Sequence, residues 1–144
     1  MAALVDTNVL VYRYDPRDRE KQRLATQLLR EGSARGTIRL PHQAIVEFVS
    51  ATTRPLSGGR SLLPPNLARQ EADELLNEFT VLFPNKGVVR TALRGAAMYG
   101  LSWFDAHLWA YAEYFGLGTL LSEDFQAGRI YGSVRIVDPF VAER

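Results

Sequence analysis

Four acidic residues stand where a carboxylate ordinarily does not. Asp6 follows the apolar run Ala3-Leu4-Val5, and Glu47 lies inside Ala44-Ile45-Val46-Glu47-Phe48-Val49. Asp105 follows Trp103-Phe104, and Asp124 follows Leu120-Leu121-Ser122. Carboxylates are seldom held near a core without a partner, and no Arg or Lys stands as an obvious partner beside each. If the four converged within roughly 5 Å, each pair would repel by about 3 kcal/mol at an effective dielectric near 20. Protonation or a cation would then have to relieve them. Oxygen-only donors suit Mg²⁺ or Mn²⁺, which retain several waters. The chain has no cysteine and only two histidines, His42 and His107, which argues against zinc.

Each piece has an ordinary reading beside the chemical one. Asp6-Thr7-Asn8 reads equally as a helix cap. Ser102 and Asp105 fit the S-x-x-D capping box. Glu47 has Arg54 two turns on as a partner, and Ser122-Glu123-Asp124 also reads as a cap before a turn. His42 and His107 read as packed or hydrogen-bonded residues rather than catalysts. The aromatic group Trp103, Phe104, Trp109, Tyr111, Tyr114 and Phe115 reads as core and interface. Weight comes from the combination, because two of the acidic positions fall at strand ends.

The elements that must position these side chains alternate. Residues 2–5 read as a buried strand, followed by a short helix over 9–13 that Asp15-Pro16 breaks. An amphipathic helix is expected over 17–35, with Leu24, Leu28 and Leu29 on one face. A strand follows over 37–40. Pro41 is expected to open a helix that runs to Arg54, before Pro55. Residues 55–65, with three prolines, two glycines and two serines, form a loop. Helices are expected over 66–78, 86–99 and 102–115. Strands are expected over 79–83, 119–121 and 134–137, with a helical turn over 123–129. Short apolar strands alternating with helices indicate an α/β fold with a mainly parallel sheet, in which ligands bind beyond the carboxyl ends of the strands.

Composition is consistent with one folded domain over residues 1–144. Hydrophobic residues are 47% and charged residues 23% of the chain, which excludes a disordered class. A net charge of +1 excludes a polycation that coats nucleic acid by charge alone. The densest basic stretch is Arg13, Arg17, Arg19, Lys21 and Arg23. It reads as a solvated helix face or, at Arg13 and Arg17, as a path for a nucleic-acid backbone. No stretch is apolar enough to span a bilayer, and Asp6 interrupts the opening run too early for a signal peptide. A cytoplasmic protein without membrane contact is expected. No Gly-rich phosphate loop or nucleophile elbow is present.

Val5-Asp6-Thr7-Asn8-Val9-Leu10, Glu47-Phe48, Trp103-Phe104-Asp105-Ala106 and Leu121-Ser122-Glu123-Asp124-Phe125-Gln126 with Gly128 resemble, in this order, the motifs of the PIN-domain family. Within it they resemble the VapC-type ribonuclease toxins of toxin–antitoxin pairs. The likeness runs from Asp6 to Asp138-Pro139-Phe140. Two positions depart from the pattern: Asp138 stands where many relatives have Asn, and His42 where a small polar residue is common.

The resemblance implies a three-layer α/β/α sandwich and an endoribonuclease dependent on Mg²⁺ or Mn²⁺. It implies catalytic roles for Asp6, Glu47, Asp105 and Asp124, with Asp6, Asp105 and Asp124 holding metal directly or through water. Thr7, Asn8 and Ser122 would orient them, and Glu123 is a secondary neighbour. The implied partners are an RNA substrate, a VapB-like antitoxin and a second copy of the chain. Two other classes share these residues: a catalytically silent binding module on the same fold, and a metal-dependent DNA nuclease or phosphatase.

Overall fold

A computed structural model describes residues 1–141. The last three positions of the expected 1–144 domain lie outside the described residues. The elements in chain order are β1 (Ala3–Val5), α1 (Thr7–Tyr12), α2 (Arg19–Arg35), β2 (Ile38–Pro41), α3 (His42–Thr53), α4 (Pro65–Glu78), β3 (Thr80–Leu82), α5 (Lys86–Tyr99), α6 (Trp103–Tyr114), β4 (Thr119–Leu121), β5 (Ile130–Tyr131) and β6 (Val134–Val137).

The six strands lie in the order β3-β2-β1-β4-β6-β5. All neighbours are parallel except β5, which pairs antiparallel with β6. The chain first builds outward from β1 through β2 to β3. It then returns to the other side of β1 with β4. The reversal makes the β1/β4 boundary a topological switch point, the crevice where open α/β sheets bind ligands.

Alternation along the strands divides the interior in two. Val5, Ile38 and Leu40 pack with Val9, Leu10, Leu29, Phe48 and Leu75, drawn from α1 to α4. Leu4, Leu120 and Ile136 pack on the other face with Val88, Ala92, Leu108, Trp109 and Tyr111, drawn from α5 and α6. Helices therefore cover both faces of a mainly parallel sheet, as the three-layer expectation required.

Several helix ends follow from local chemistry. Asp18 and Asn85 cap α2 and α5 by accepting from the Lys21 and Val88 N–H groups at 3.1 and 3.0 Å, and Ser102 caps α6 through the Asp105 N–H at 3.2 Å. Helices α2 and α5 stop at Gly36 and Gly100, whose φ values of 66° and 65° are the left-handed conformation that glycine adopts without penalty.

Two expectations need correction, and one strand is additional. Pro41 does not open α3 but ends β2, in register with Leu82 of β3. Its φ of −76° and ψ of 148° are extended, and the helix starts at His42. Residues 123–129 form no helical turn. The Ser122 hydroxyl captures the Asp124 N–H at 3.1 Å, and the Gly128 N–H bonds sideways to the Ile136 carbonyl at 2.8 Å, so only a single turn closes, from the Arg129 N–H to the Gln126 carbonyl at 3.2 Å, and no helix follows. Strand β5 was not expected. Only two residues long, it is joined to β6 through Gly132 at φ 61° and offers too short a pattern to read.

Candidate active site

The end of β1 is the centre of the site. Asp6 is extended, at φ −71° and ψ 153°, and caps α1 by accepting from the Thr7 N–H at 2.7 Å. Its other oxygen, Oδ2, accepts from the Ser122 hydroxyl at 2.7 Å. Register accounts for this meeting: Val5 pairs with Leu121 across β1 and β4, so the next residue of each strand emerges beside the other.

The two residues after Asp6 reach two further carboxylates. The Thr7 hydroxyl donates to Glu47 Oε2 at 2.9 Å. The Asn8 side-chain amide donates to Asp124 Oδ2 at 2.8 Å. Three consecutive positions on one helical turn thus place one acid and orient two others, from α3 and from the loop after β4. Capping and site building are one arrangement here, not alternatives.

Burial, and then the neighbouring charges, set the electrostatics of the acids. Burial pushes the Asp6 carboxyl up from 3.8 to about 7. The Ser122 hydroxyl opposes this, the Asp124 charge adds to it, the Thr7 N–H opposes it, and the Glu47 charge adds again. Asp124 is also raised, first by burial and then by the Glu123 and Asp105 charges, with Asp138 raising it further. Asp105 lies in the first turn of α6. Ser102 uses only the Asp105 backbone, so one half of the expected capping box forms. Among the described residues no hydrogen bond is made by the Asp105 carboxylate.

The remaining acids have other duties. Glu123 accepts from Lys21 Nζ at 2.7 Å and from the Tyr12 hydroxyl. Asp138 Oδ1 accepts from the Phe140 N–H at 2.9 Å. Glu47 does not pair with Arg54; its second oxygen accepts from Gln43 Nε2 at 2.8 Å. Arg13 contacts Glu78 at 3.5 Å, and Arg17 pairs with Asp15 at 2.8 Å. Both arginines therefore have carboxylate partners outside the clustered acids. His42 packs on the Phe83 ring.

His107, expected to be packed or hydrogen-bonded, is both, and its partner Gln43 is a residue the sequence did not single out. Gln43 stands four residues before Glu47 on α3, a spacing that brings side chains together on a helix. That signal was available. His107 reaches Gln43 from 64 residues away, with Nδ1 2.9 Å from the amide oxygen, and no local pattern announces it. Beside them Val46, Trp103 and Phe104 are exposed. With Gln43, Glu47 and His107 they line a pocket of about 340 Å³.

Among the described residues, no three His, Asp or Glu side chains are grouped tightly enough to chelate an ion by themselves. The donors at the sheet edge are all oxygen, and two of the acids are raised by crowding and burial. Such a set fits a hard cation that keeps part of its water shell and touches only one or two carboxylates. It does not fit zinc, since neither histidine joins the acids around Asp6.

The family model described as the PIN domain matches residues 3–132. No curated protein sequence matches the chain. Among solved structures, a toxin–antitoxin complex from Klebsiella pneumoniae is similar at 18% identity and a TM-score of 0.69, covering 96% of this chain and 98% of the other. DNA-bound VapBC from Salmonella typhimurium is similar at 12% identity and a TM-score of 0.69, with coverages of 96% and 98%. VapC20 from Mycobacterium tuberculosis, a toxin that cleaves the sarcin-ricin loop, is similar at 14% identity and a TM-score of 0.65, with coverages of 85% and 90%. At these identities the likeness is one of fold.

Proposed function

Because the chain belongs to the PIN domain family, we propose that it is a metal-dependent endoribonuclease and the toxin of a toxin–antitoxin pair. The observation that carries this reading is the triplet Asp6-Thr7-Asn8, which supplies one carboxylate at the β1/β4 switch point and hydrogen-bonds two others, Glu47 and Asp124. A silent binding module has no reason to keep so costly a group of acids.

Asp6, Asp105 and Asp124 would hold Mg²⁺ or Mn²⁺ directly or through water. The bound ion would reverse the negative potential of the pocket, polarise a phosphoryl oxygen and lower the pKa of a water. Thr7 and Gln43 hold Glu47 by one donor on each oxygen, so its carboxylate is fixed in direction. In this reading Glu47 orients the attacking water and takes its proton. The new bond would join the water oxygen to phosphorus, the bond to the 3′-oxygen would break, and that oxygen would take a proton from solvent water, leaving a 5′-phosphate and a 3′-hydroxyl. Ser122 and Asn8 keep Asp6 and Asp124 from turning away as charge at the site changes.

Structural neighbours solved as toxin–antitoxin complexes support an antitoxin partner. The exposed Val46, Trp103 and Phe104 beside Glu47 support a partner segment docked where it would cover the acids. Val89, Leu93 and Met98, exposed along α5, support pairing with a second copy. No described helix is long and apolar enough to cross a membrane. A weak role for Arg13 and Arg17 in guiding the RNA backbone would require them to exchange Glu78 and Asp15 for phosphates.

The test is incubation of the purified chain with single-stranded RNA, and with DNA of the same sequence, in Mg²⁺ or Mn²⁺, beside Asp6→Asn. Cleavage of RNA by the native chain alone is expected. Equal cleavage by both proteins, or cleavage confined to DNA, contradicts the proposal.

A further inference from the structure

We propose that Gln43 and His107 are positioning residues, which fix the direction of the Glu47 carboxylate and its spacing from the first turn of α6. The inference rests on the catalytic reading of Glu47, but its geometry stands apart from that reading.

Hydrogen-bond logic determines the arrangement. A carboxylate oxygen only accepts, so the Gln43 atom 2.8 Å from Glu47 Oε1 is the amide nitrogen. The amide oxygen then faces His107 Nδ1 at 2.9 Å. An amide oxygen cannot donate, so Nδ1 must carry a hydrogen. The direction of donation runs from His107 to Gln43 to Glu47, and Thr7 closes it from the other side at 2.9 Å. The same amide nitrogen lies 3.5 Å from the Phe104 carbonyl, one residue before Asp105. Gln43 therefore stands between two acids that no strand joins: Glu47 on its own helix and Asp105 on α6.

The neighbouring groups leave this bridge few alternatives. Gln43 and Glu47 share a face of α3 by their four-residue spacing. His107 rises one turn above Trp103 on α6, and its ring packs edge-on against buried Tyr111 at 5.3 Å. Gln43 rotated by half a turn would set its oxygen against the carboxylate and lose the bond to Glu47. Without the amide, Glu47 would keep the Thr7 bond alone and could swing about it.

Two measurements test the inference. The first needs neither metal nor RNA. Long-range ¹H–¹⁵N spectra of the metal-free chain at pH 8 should show the neutral His107 ring with its hydrogen on Nδ1, and Gln43→Leu should lose that preference. A native ring protonated at Nε2 overturns the proposal. The second compares RNA cleavage by Gln43→Leu, His107→Phe and His107→Asn, since the Asn amide nitrogen can stand near the Nδ1 position. Gln43→Leu and His107→Phe should lower kcat by about tenfold with KM little changed, and His107→Asn should recover most of the loss. Full activity in Gln43→Leu, or equal impairment in His107→Asn and His107→Phe, overturns it. A native chain that cleaves no RNA would instead refute the proposed function, and the spectra would still decide the positioning claim.

Discussion

The Ser122 hydroxyl donates to Asp6 Oδ2 at 2.7 Å, joining two residues 116 positions apart. The same hydroxyl accepts from the Asp124 N–H at 3.1 Å. One small buried side chain thus holds two of the acids. Ser122→Ala should raise the Asp6 pKa beyond about 7, because the Ser122 bond opposes the effect of burial. It should also destabilise the metal-free protein by about 1–3 kcal/mol at pH 8, where the ionised carboxylate loses a donor. Urea unfolding at pH 5 and pH 8 checks this, and the loss should be smaller at pH 5.

Asp6 also sets the sign of the pH dependence. Its carboxyl is raised from 3.8 to about 7 in the folded chain, so folding favours its protonated form. Below about pH 4 it is protonated both folded and unfolded, and it costs nothing. Above about pH 7 it is ionised in both states, and the full cost of burying the charge is present. The Asp6 contribution to metal-free stability should therefore fall as pH rises from about 4 to about 7, while His107, lowered by burial, contributes in the opposite direction near its ordinary pKa. Asp124, also raised, acts in the same direction as Asp6. Asp6→Asn should flatten this part of the profile and give a more stable protein at pH 8. Mn²⁺ uptake at pH 6 should release protons, and above pH 8 release should vanish. Titration calorimetry in buffers of different ionisation enthalpy reads that difference.

Lys21 secures the loop that carries Asp124. Its ammonium pairs with Glu123 at 2.7 Å and lies 5.0 and 5.5 Å from the ring centroids of Tyr12 and Phe140. Glu123 holds the Lys21 pKa above its ordinary value. Lys21→Met keeps the aliphatic stem and removes the charge. The expected loss of stability is on the order of 1 kcal/mol, since the pair is partly exposed. Faster amide exchange should be confined to the segment around Glu123 to Phe125. Unchanged exchange there would show that the pair does not anchor the loop.

Helix α5 approaches α6 at Gly95. A Cβ at this position would lie 2.3 Å from Trp109 Cζ3. That indole is buried, and its Nε1 donates to the Tyr131 carbonyl at 3.0 Å, so it cannot move aside cheaply. Alanine gains up to about 1 kcal/mol over glycine in helix propensity, whereas overpacking a core costs about 1–3 kcal/mol. Overpacking should prevail, and Gly95→Ala should lower the thermal midpoint. A rise would mean that the interface has slack.

Much of this was legible in the amino-acid order, and the rest shows where such reading stops. Short apolar strands punctuated by caps revealed the parallel sheet, because Val5-Asp6 and Leu121-Ser122 each put a strand end and a polar side chain next to each other. Helix α2 could be read from Leu24, Leu28 and Leu29, but its start was set two residues early because the Asp18 cap was not read. The loop after β4 misled, since Ser122, Glu123 and Asp124 carry capping chemistry whether or not a helix follows. Only the sideways bonds to β6 decide, and those come from residues further along the chain. Among the site residues, Thr7 and Asn8 could be read from their neighbour Asp6. Gln43 could have been read from its spacing to Glu47. His107 could not, because its role depends on how α6 packs against α3. Arg13 and Arg17 looked free in a basic stretch, yet Glu78 and Asp15, one distant and one adjacent, engage them.

The central claim is that one divalent ion sits among acids from four separate segments beyond the ends of β1 and β4, touching one or two of them and reaching the rest through water. Anomalous diffraction from crystals soaked in Mn²⁺ tests it most directly. The account predicts a peak bounded by Asp6, Asp105 and Asp124, with Glu47 facing it, and loss of that peak in Asp6→Asn. A native crystal that binds Mn²⁺ only elsewhere, or keeps the peak unchanged in Asp6→Asn, would contradict it.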